Sequence, residues 1–198
     1  MKISVILAHP NPDSFNHAIA NTAAATLSKE GHTIVVHDLY AERFDPLLPA
    51  NEIPRETSLP PSIARHCEEI AGANGIVIVH PNWWGMPPAI LKGWIDRVLR
   101  PGTAYRFAET DSGEGVPLGL LNAKAVIVFN TANTPADREQ EVFGDPLERI
   151  WKDCIVSFCG VPVCYRRVFS VIVTSTKEQR TVWLEEVRQL TLDIFPPT

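Results

Sequence analysis

Five short apolar runs alternate along this chain with longer segments whose apolar residues recur at helical spacing. Runs of this kind are typical of buried strands, and the periodic segments are typical of helices packed on a sheet. The predicted strands are Lys2–Ala8, Thr33–His37, Gly75–Val79, Ala123–Phe129 and Val163–Val173. The predicted helices are 15–30, 63–73, 87–99, 136–158 with a break near 144–146, and a last helix that ends near 196. This alternation predicts an α/β fold whose parallel sheet is covered by helices on both faces.

Five strands in such a fold are most often ordered 2-1-3-4-5, so we predict a doubly wound five-stranded parallel sheet with that order. The 198 residues fall within the range of one α/β domain, and residues 1–198 are expected to form a single domain. Asp13 or Ser14 can cap the first helix, and Ser175 with Glu178 fits a capping box for the last one. The segments 38–61 and 100–122 are predicted to be long irregular connections.

Charge and composition disfavour several classes of protein. The net charge is −5 and no dense run of Lys or Arg is present, which argues against nucleic acid as a main partner. The first apolar run is too short for a signal peptide, and no stretch is long enough to span a bilayer. We therefore expect a cytoplasmic protein without membrane insertion. The four cysteines lack metal-binding spacing, so buried reduced thiols are expected and no metal site is predicted.

Two adjacent tryptophans occupy the loop between the third predicted strand and the next helix. Trp83 and Trp84 precede the pair Pro87–Pro88, which suits the first turn of a helix because its N–H groups lack intrahelical partners. In open parallel sheets, ligands bind at the strand-to-helix loops. The two indoles are therefore candidates for a ligand-binding wall, and the alternative that they are core or dimer contacts stays open.

Three loops border the crevice that the strand order 2-1-3-4-5 creates. They are 9–16, 81–86 and 131–135, after the first, third and fourth strands. The first loop enters a helix directly, and a helix N-terminus is a phosphate-binding element. Ser14, Asn16 and His9 can add donors there, although Ser14 can equally be a plain N-cap and His9 an ordinary loop histidine.

Motifs of other chemistries are absent from the sequence. There is no GxGxxG fingerprint, Walker lysine, GxSxG elbow or HExxH pair. The first strand ends in Ala8-His9-Pro10 rather than in carboxylates, which disfavours an aspartyl-phosphate enzyme. A phosphate anchor, aromatic rings and polar donors for a heteroaromatic edge together suit flavin mononucleotide.

Three stretches resemble the NAD(P)H quinone oxidoreductase family of flavodoxin-like fold, which includes small ancillary subunits of potassium efflux systems. The most specific is Pro81–Trp94, with PAILKGW at its end. Ala8-His9 followed by Ser14–Asn16 is similar to the family's first flavin loop. Asp38–Tyr40 with Phe44–Pro46 fits the connection after the second strand.

The resemblance implies a flavin site built from all three loops. The residues implied to hold the phosphate and ribityl chain are His9, Ser14, Phe15 and Asn16. Those implied to line the isoalloxazine are Pro81, Asn82, Trp83, Trp84 and Gly85. Those implied to approach its polar edge are Thr131, Ala132, Asn133 and Thr134. Tyr105 and Phe107 are further candidates for an aromatic wall.

The chain departs from the larger quinone reductases of the family. They have a Thr-Thr-Gly-Gly-like run where this chain has Thr131–Thr134, and a Tyr and a His soon after it where this chain has 136–143. No catalytic residue is therefore carried over. The chain also lacks their C-terminal extension, which favours FMN, with FAD as the alternative.

The resemblance implies a cytoplasmic homodimer that uses NAD(P)H as co-substrate and transfers a hydride to quinones or similar flat acceptors. Three alternatives stay open. The protein could be a flavodoxin-type electron carrier, a regulatory flavoprotein subunit of a potassium efflux system, or a fold relative without flavin. The choices between NADH and NADPH and among acceptors are not encoded in any motif that we recognise.

Overall fold

Five strands form one parallel sheet in the computed structural model, which describes residues 1–107, 115 and 117–197. The strands are β1 Lys2–Leu7, β2 Thr33–Asp38, β3 Gly75–Pro81, β4 Tyr105–Arg106, β5 Leu118–Gly119, β6 Val126–Ala132 and β7 Cys164–Ser170. The sheet order is β2-β1-β3-β6-β7, while β4 and β5 form a separate antiparallel pair. The predicted order 2-1-3-4-5 is therefore confirmed. Along the chain, the short pair β4–β5 lies between the third and fourth strands of this sheet. Part of the predicted 100–122 connection, 108–114 and 116, lies outside the described residues.

Helices cover both faces of the sheet. They are α1 Phe15–Lys29, α2 Pro61–Ala71, α3 Ala89–Val98, α4 Ala136–Phe143, α5 Pro146–Arg149 and α6 Lys177–Ile194, with a 3₁₀ turn at Ala50–Glu52 and a π-helical segment at Ile150–Val156. Helices α1 and α6 lie on one face, and α2, α3 and the segment 150–156 lie on the other. The predicted break at 144–146 is confirmed, because Gly144 (φ 69°) and Asp145 (φ 43°) adopt left-handed conformations that end α4.

The two faces of the sheet bury separate apolar layers. One layer includes Trp94 and Trp151 under α2, α3 and the π-helical segment, and the other includes Phe129 and Phe169 under α1 and α6. Every residue of β3 and β6 is buried, as expected for central parallel strands. Each fully buried aromatic side chain contributes about 1.5–3 kcal/mol or more to stability. The centre of the sheet is therefore a rigid base for the loops at its carboxyl edge.

Several predicted element ends need correction. α3 begins at Ala89 with Pro88 as its N-cap, so Pro87 and Pro88 precede its first turn, and β7 ends at Ser170 rather than at Val173. β6 begins and ends three residues later than predicted, because Thr131 pairs with Pro81 of β3 and Ala132 pairs with Ser170 of β7. The capping box of α6 uses Thr176 and Gln179, not Ser175 and Glu178. Ser175 is engaged elsewhere, since its hydroxyl donates to the Ile172 carbonyl.

The long connection 38–61 packs over α3. Arg97 of α3 donates from Nε and Nη2 to both carboxylate oxygens of Glu52, at 3.0 and 2.5 Å, and both side chains are buried. Its Nη1 donates to the Asp45 carbonyl at 2.6 Å. A bidentate pair of this kind fixes orientation as well as position.

Within the described part of the chain, no helix has the length and apolar character that a membrane crossing needs.

Candidate functional site at the carboxyl edge of the sheet

A cavity of about 400 Å³ opens between the loops after β1, β3 and β6. Its volume lies within the range of small-molecule sites. Eleven of the predicted residues line it: His9, Ser14, Phe15, Asn16, Pro81, Asn82, Trp83, Thr131, Ala132, Asn133 and Thr134. The structure thus brings the three loops together, and their ligand role stays a prediction.

The N-terminus of α1 forms one wall of the cavity. Ser14 is its N-cap, and the Ser14 hydroxyl accepts the His17 backbone N–H at 3.3 Å. The alternative N-cap role of Ser14 is therefore real, and its side chain is committed to the helix. The backbone N–H groups of Phe15 and Asn16 have no acceptor inside the helix, because they belong to its first turn. With the helix dipole they create an anion-binding position.

Arg180 of α6 adds a positive charge to this wall. Its guanidinium carbon lies 5.7 Å from the centre of the Phe15 ring, and Nε donates to the Ser175 hydroxyl at 2.8 Å. Nη2 donates to the Ile172 carbonyl at 3.0 Å. Arg180 and Ile172 both line the cavity, and neither was predicted. The topology could have indicated them, since the loop after the fifth sheet strand ends at the same edge.

Asn16 joins the first loop to the third. Its Nδ2 donates to the Thr131 hydroxyl at 2.9 Å, and both residues are buried. The Asn16 Oδ1 is also buried and has no hydrogen-bond partner among the described residues. A buried acceptor without a donor costs free energy, and Asn16 lines the cavity. The open acceptor therefore suits a ligand that supplies an O–H or N–H group.

His9 extends the cavity wall toward the tryptophan loop. The Asn11 backbone N–H donates to the His9 Nδ1 at 3.1 Å, and the His9 ring lies 6.0 Å from the Trp83 ring. Burial lowers the pKa of His9, the contact of its Nδ1 with the Asn11 carbonyl oxygen at 3.3 Å opposes this, and the charge of His17 lowers the pKa further. His9 therefore favours the neutral form at neutral pH, and it serves as a hydrogen-bonding rather than a charged group.

The second loop is a tight turn held by Asn82. The backbones of Trp83 and Met86 exchange two hydrogen bonds of 3.0–3.1 Å, and the Gly85 N–H donates to the Asn82 Oδ1 at 2.9 Å. Trp84 (φ 58°) and Gly85 (φ 71°) are left-handed. A Cβ at position 85 would lie 2.8 Å from Cγ of Pro146, so glycine is needed there.

The turn separates the two indoles. Trp83 lines the cavity and is 41% exposed, whereas Trp84 is fully exposed and lines an adjacent cavity together with Gly85. Core packing is therefore excluded for Trp84. Tyr105 and Phe107 lie outside the described cavity lining, and Tyr105 packs against Phe158 at 4.8 Å.

The third loop closes the cavity with polar groups. The Asn82 N–H donates to the Thr131 carbonyl at 2.7 Å, and the Val173 N–H donates to the Asn133 Oδ1 at 3.0 Å. The loops after β3, β6 and β7 are thus tied together by hydrogen bonds. Ala132 is buried, and Thr134 lines both cavities. This arrangement offers polar donors and acceptors to the edge of a flat ligand.

A second polar cluster lies away from the cavity, at the end of β2. Glu42 contacts the Nδ1 of His37 at 2.9 Å and the Nε2 of His66 at 3.1 Å, and the His37 Nε2 contacts Glu69 at 2.6 Å. The Trp94 indole donates to the His66 Nδ1, so the proton of that ring is on Nε2, toward Glu42. The cluster is therefore a hydrogen-bond network that joins β2 to α2 and α3. The sequence analysis did not bring these scattered residues together.

Fold and cavity define an α/β protein with a cavity of small-molecule size at the switch point of its sheet. Residues 1–190 match the family described as "Flavodoxin-like fold". A Haemophilus influenzae protein named "Uncharacterized NAD(P)H oxidoreductase" is 33% identical over 194 residues, covering 94% of this chain and 92% of that protein. The chain belongs to the flavodoxin-like fold family that includes NAD(P)H quinone oxidoreductases.

Two further relatives are named as quinone reductases. NAD(P)H dehydrogenase [quinone] 1 of Rattus norvegicus is 32% identical over 182 residues, which cover 80% of this chain and 65% of that protein. The chain thus matches slightly less than two thirds of the rat enzyme. The solved structure of NAD(P)H:quinone oxidoreductase from Methanothermobacter marburgensis is 26% identical, with a TM-score of 0.80 over 96% of this chain and 95% of that one.

Proposed function

We propose that this protein is an FMN-dependent NAD(P)H oxidoreductase that reduces quinones or similar flat acceptors. The overall reaction is NAD(P)H plus H⁺ plus quinone to NAD(P)⁺ plus hydroquinone. The observation that carries the proposal is the cavity in which one anion-binding helix start, one arginine, one half-exposed indole and several polar groups converge. The quinone-reductase relatives support the same activity.

The residues of the cavity fit a flavin mononucleotide. The first turn of α1 and the guanidinium of Arg180 would hold one phosphate, because both present positive charge at the start of the helix. The open acceptor Oδ1 of Asn16 would receive a hydroxyl or N–H of the ligand. Trp83 would supply a wall for a flat ring. A single phosphate position favours FMN over FAD, which remains the alternative.

FMN supplies two-electron chemistry when bound, since a flavin accepts a hydride from NAD(P)H and returns it to an acceptor. The protein's own part is binding and orientation. Asn82 fixes the Trp83–Gly85 turn, and Asn16 fixes the first loop against Thr131. NAD(P)H and the acceptor would use the space beside the flavin in turn, and such a space needs aromatic walls beside polar edges, which Trp84 and Thr134 provide.

We also propose that residues 1–198 form a single domain that acts as a cytoplasmic homodimer. Support for one domain comes from two apolar layers on one continuous sheet. Support for a reducing compartment comes from four free cysteines, although Cys154 is exposed and Cys164 half-buried rather than buried as predicted. Support for a homodimer comes from the family resemblance of the Pro81–Trp94 stretch, which implies two copies.

Steady-state turnover tests the proposed reaction. The protein, loaded with FMN, is mixed with NADH or NADPH and a neutral naphthoquinone, and loss of reduced nicotinamide and formation of hydroquinone are measured. We expect one hydroquinone to form for each reduced nicotinamide that is lost. The flavin-free protein should show this turnover only after FMN is added. Absence of quinone-dependent oxidation in the FMN-loaded protein would contradict the proposed function and favour an electron carrier or a fold relative without activity.

A further inference from the structure

A second cavity of about 680 Å³ adjoins the proposed flavin site. The two cavities share Asn82 and Thr134 in their linings, so they are contiguous at these residues. The second one, which we term the side cavity, has apolar walls that include Trp84 and Phe143. Both side chains are largely exposed in this chain, at 101% and 54%. A flat acceptor placed next to a flavin in the first cavity would thus lie in an aromatic-lined space.

Glu139 is the charged residue in the described lining of the side cavity. It belongs to the first turns of α4 and is only 8% exposed. The Asn82 Nδ2 donates to the Glu139 Oε1 at 3.0 Å. Among the described residues, no other side chain donates a hydrogen bond to this carboxylate. One carboxylate oxygen is thus bonded to Asn82 of the tryptophan turn. The negative charge of Glu139 faces a cavity whose other described lining residues are uncharged.

We propose that Glu139 is a specificity-determining residue that selects neutral over anionic acceptors in the side cavity. This inference rests on the proposed quinone reduction. A like charge brought close to a carboxylate in a partly enclosed space is repelled, whereas a neutral quinone of the same shape is not. Selection of this kind acts by rejection of the wrong ligand as much as by attraction of the right one.

The charges around Glu139 do not cancel this effect. Arg138 precedes it on α4, but its guanidinium carbon lies over the Phe143 ring at 5.9 Å, and Arg138 is exposed and outside the described cavity lining. Asp137 and Glu141 of the same helix are exposed and negative. Solvent and salt screen these surface charges more strongly than they screen the buried carboxylate. Glu139 therefore sets the charge preference of the side cavity.

The test uses Glu139→Gln, because glutamine keeps an oxygen that can accept the Asn82 hydrogen bond and removes only the charge. Glu141→Gln on the exposed face of the same helix is the matched control. With FMN-loaded proteins, kcat/KM is measured for 1,4-naphthoquinone and for 1,4-naphthoquinone-2-sulfonate. We expect Glu139→Gln to raise the sulfonate-to-neutral ratio of kcat/KM about fivefold, with the control unchanged. The gain should shrink at high salt.

Each other outcome has a defined meaning. An unchanged ratio in Glu139→Gln, or an equal rise in the control, would overturn the assignment while leaving the proposed function intact. An equal loss of kcat/KM for both quinones would show that Glu139 acts only by orienting Asn82, and would also overturn it. A wild-type protein that binds FMN but reduces neither quinone would remove the proposed function and this inference together.

Discussion

His80 is a fully buried histidine at the end of β3, directly before the tryptophan loop. Its Nδ1 donates to the Pro81 carbonyl at 2.8 Å, and its Nε2 accepts from Trp151 and from Asn130, both at 2.9 Å. Both ring nitrogens are thus satisfied in the neutral form. Burial is the largest cause that lowers the pKa of His80, to about 3; the bond to Pro81 opposes it and the charge of Arg166 adds to it.

From the buried, neutral state of His80 we predict that the folded protein loses stability at acid pH. Because the pKa of His80 is lower in the folded chain than its ordinary value of 6.5, the unfolded chain binds more protons between about pH 6.5 and 3. The free energy of unfolding should therefore fall as the pH falls, by up to about 1.4 kcal/mol per pH unit from this group. Urea unfolding at several pH values from 6.5 to 4.5 should show a shallower slope in His80→Gln than in the wild type.

Trp151→Phe is the matched control for this prediction. It removes the indole donor to His80 but keeps the titrating ring, so it should lower stability while retaining most of the pH slope. Equal slopes in the wild type and His80→Gln would show that His80 does not set the acid sensitivity.

The sequence predicted several residue positions well and others poorly, for physical reasons. Eleven predicted residues line one cavity because they follow strands whose carboxyl ends meet at one edge. Trp84 could not be distinguished from a core residue, since its full exposure depends on a left-handed backbone in the turn. Arg180 was missed because only the loops after the first, third and fourth strands were assigned to the crevice, although the start of α6 lies at the same edge.

At the scale of elements, α3 is positioned by its contact with the 38–61 connection. Gly93 lies where the helix meets that segment, and a Cβ at this position would lie 2.2 Å from the Pro46 carbonyl oxygen and 2.3 Å from the Pro46 Cβ. Because the contacted atoms belong to the backbone and to a rigid ring, they cannot move aside cheaply. The same segment is also held to α3 by the buried Arg97–Glu52 pair.

Gly93→Ala should therefore destabilise the fold, although alanine is intrinsically the better helix former by about 1 kcal/mol. We expect the free energy of unfolding to fall by about 2 kcal/mol, as for other overpacked sites. Urea unfolding measures this. Gly72→Ala, at the C-cap of α2 with φ −85°, is the control and should change stability by less than about 1 kcal/mol. A Gly93→Ala variant more stable than the wild type would refute the close contact.

Element types were predictable because short buried runs and helical periods differ strongly, but element ends were not. β6 extends through Ala132 because both neighbouring strands pair with it to that point, which is a tertiary effect. The capping box lies one residue beyond its predicted place, because Ser175 and Thr176 offer the same chemistry in adjacent positions. The pair β4–β5 carries strands of only two residues, too short for a pattern to indicate.

At the scale of the whole molecule, topology is what turns separate motifs into one site. The order β2-β1-β3-β6-β7 places β1 and β3 side by side, and the loops after β1, β3, β6 and β7 then surround one cavity. The sequence predicted this order from the alternation of elements, and with it the loops that meet. It could not predict the side cavity, which depends on the tertiary placement of α4 and Pro146 beside the Trp84–Gly85 turn.

The central claim is that this cavity binds FMN, with its phosphate held by the start of α1 and Arg180. The most direct measurement is a titration of the flavin-free protein with FMN, followed by flavin fluorescence, for the wild type, Arg180→Gln and the control Arg188→Gln. Arg188 lies on the same helix, is exposed, and pairs with Glu185 outside the cavity. We predict that the wild type binds FMN, that Arg180→Gln raises Kd about tenfold or more, and that Arg188→Gln leaves Kd unchanged. No binding of FMN by the wild type, or equal Kd values for the wild type and Arg180→Gln, would contradict the account.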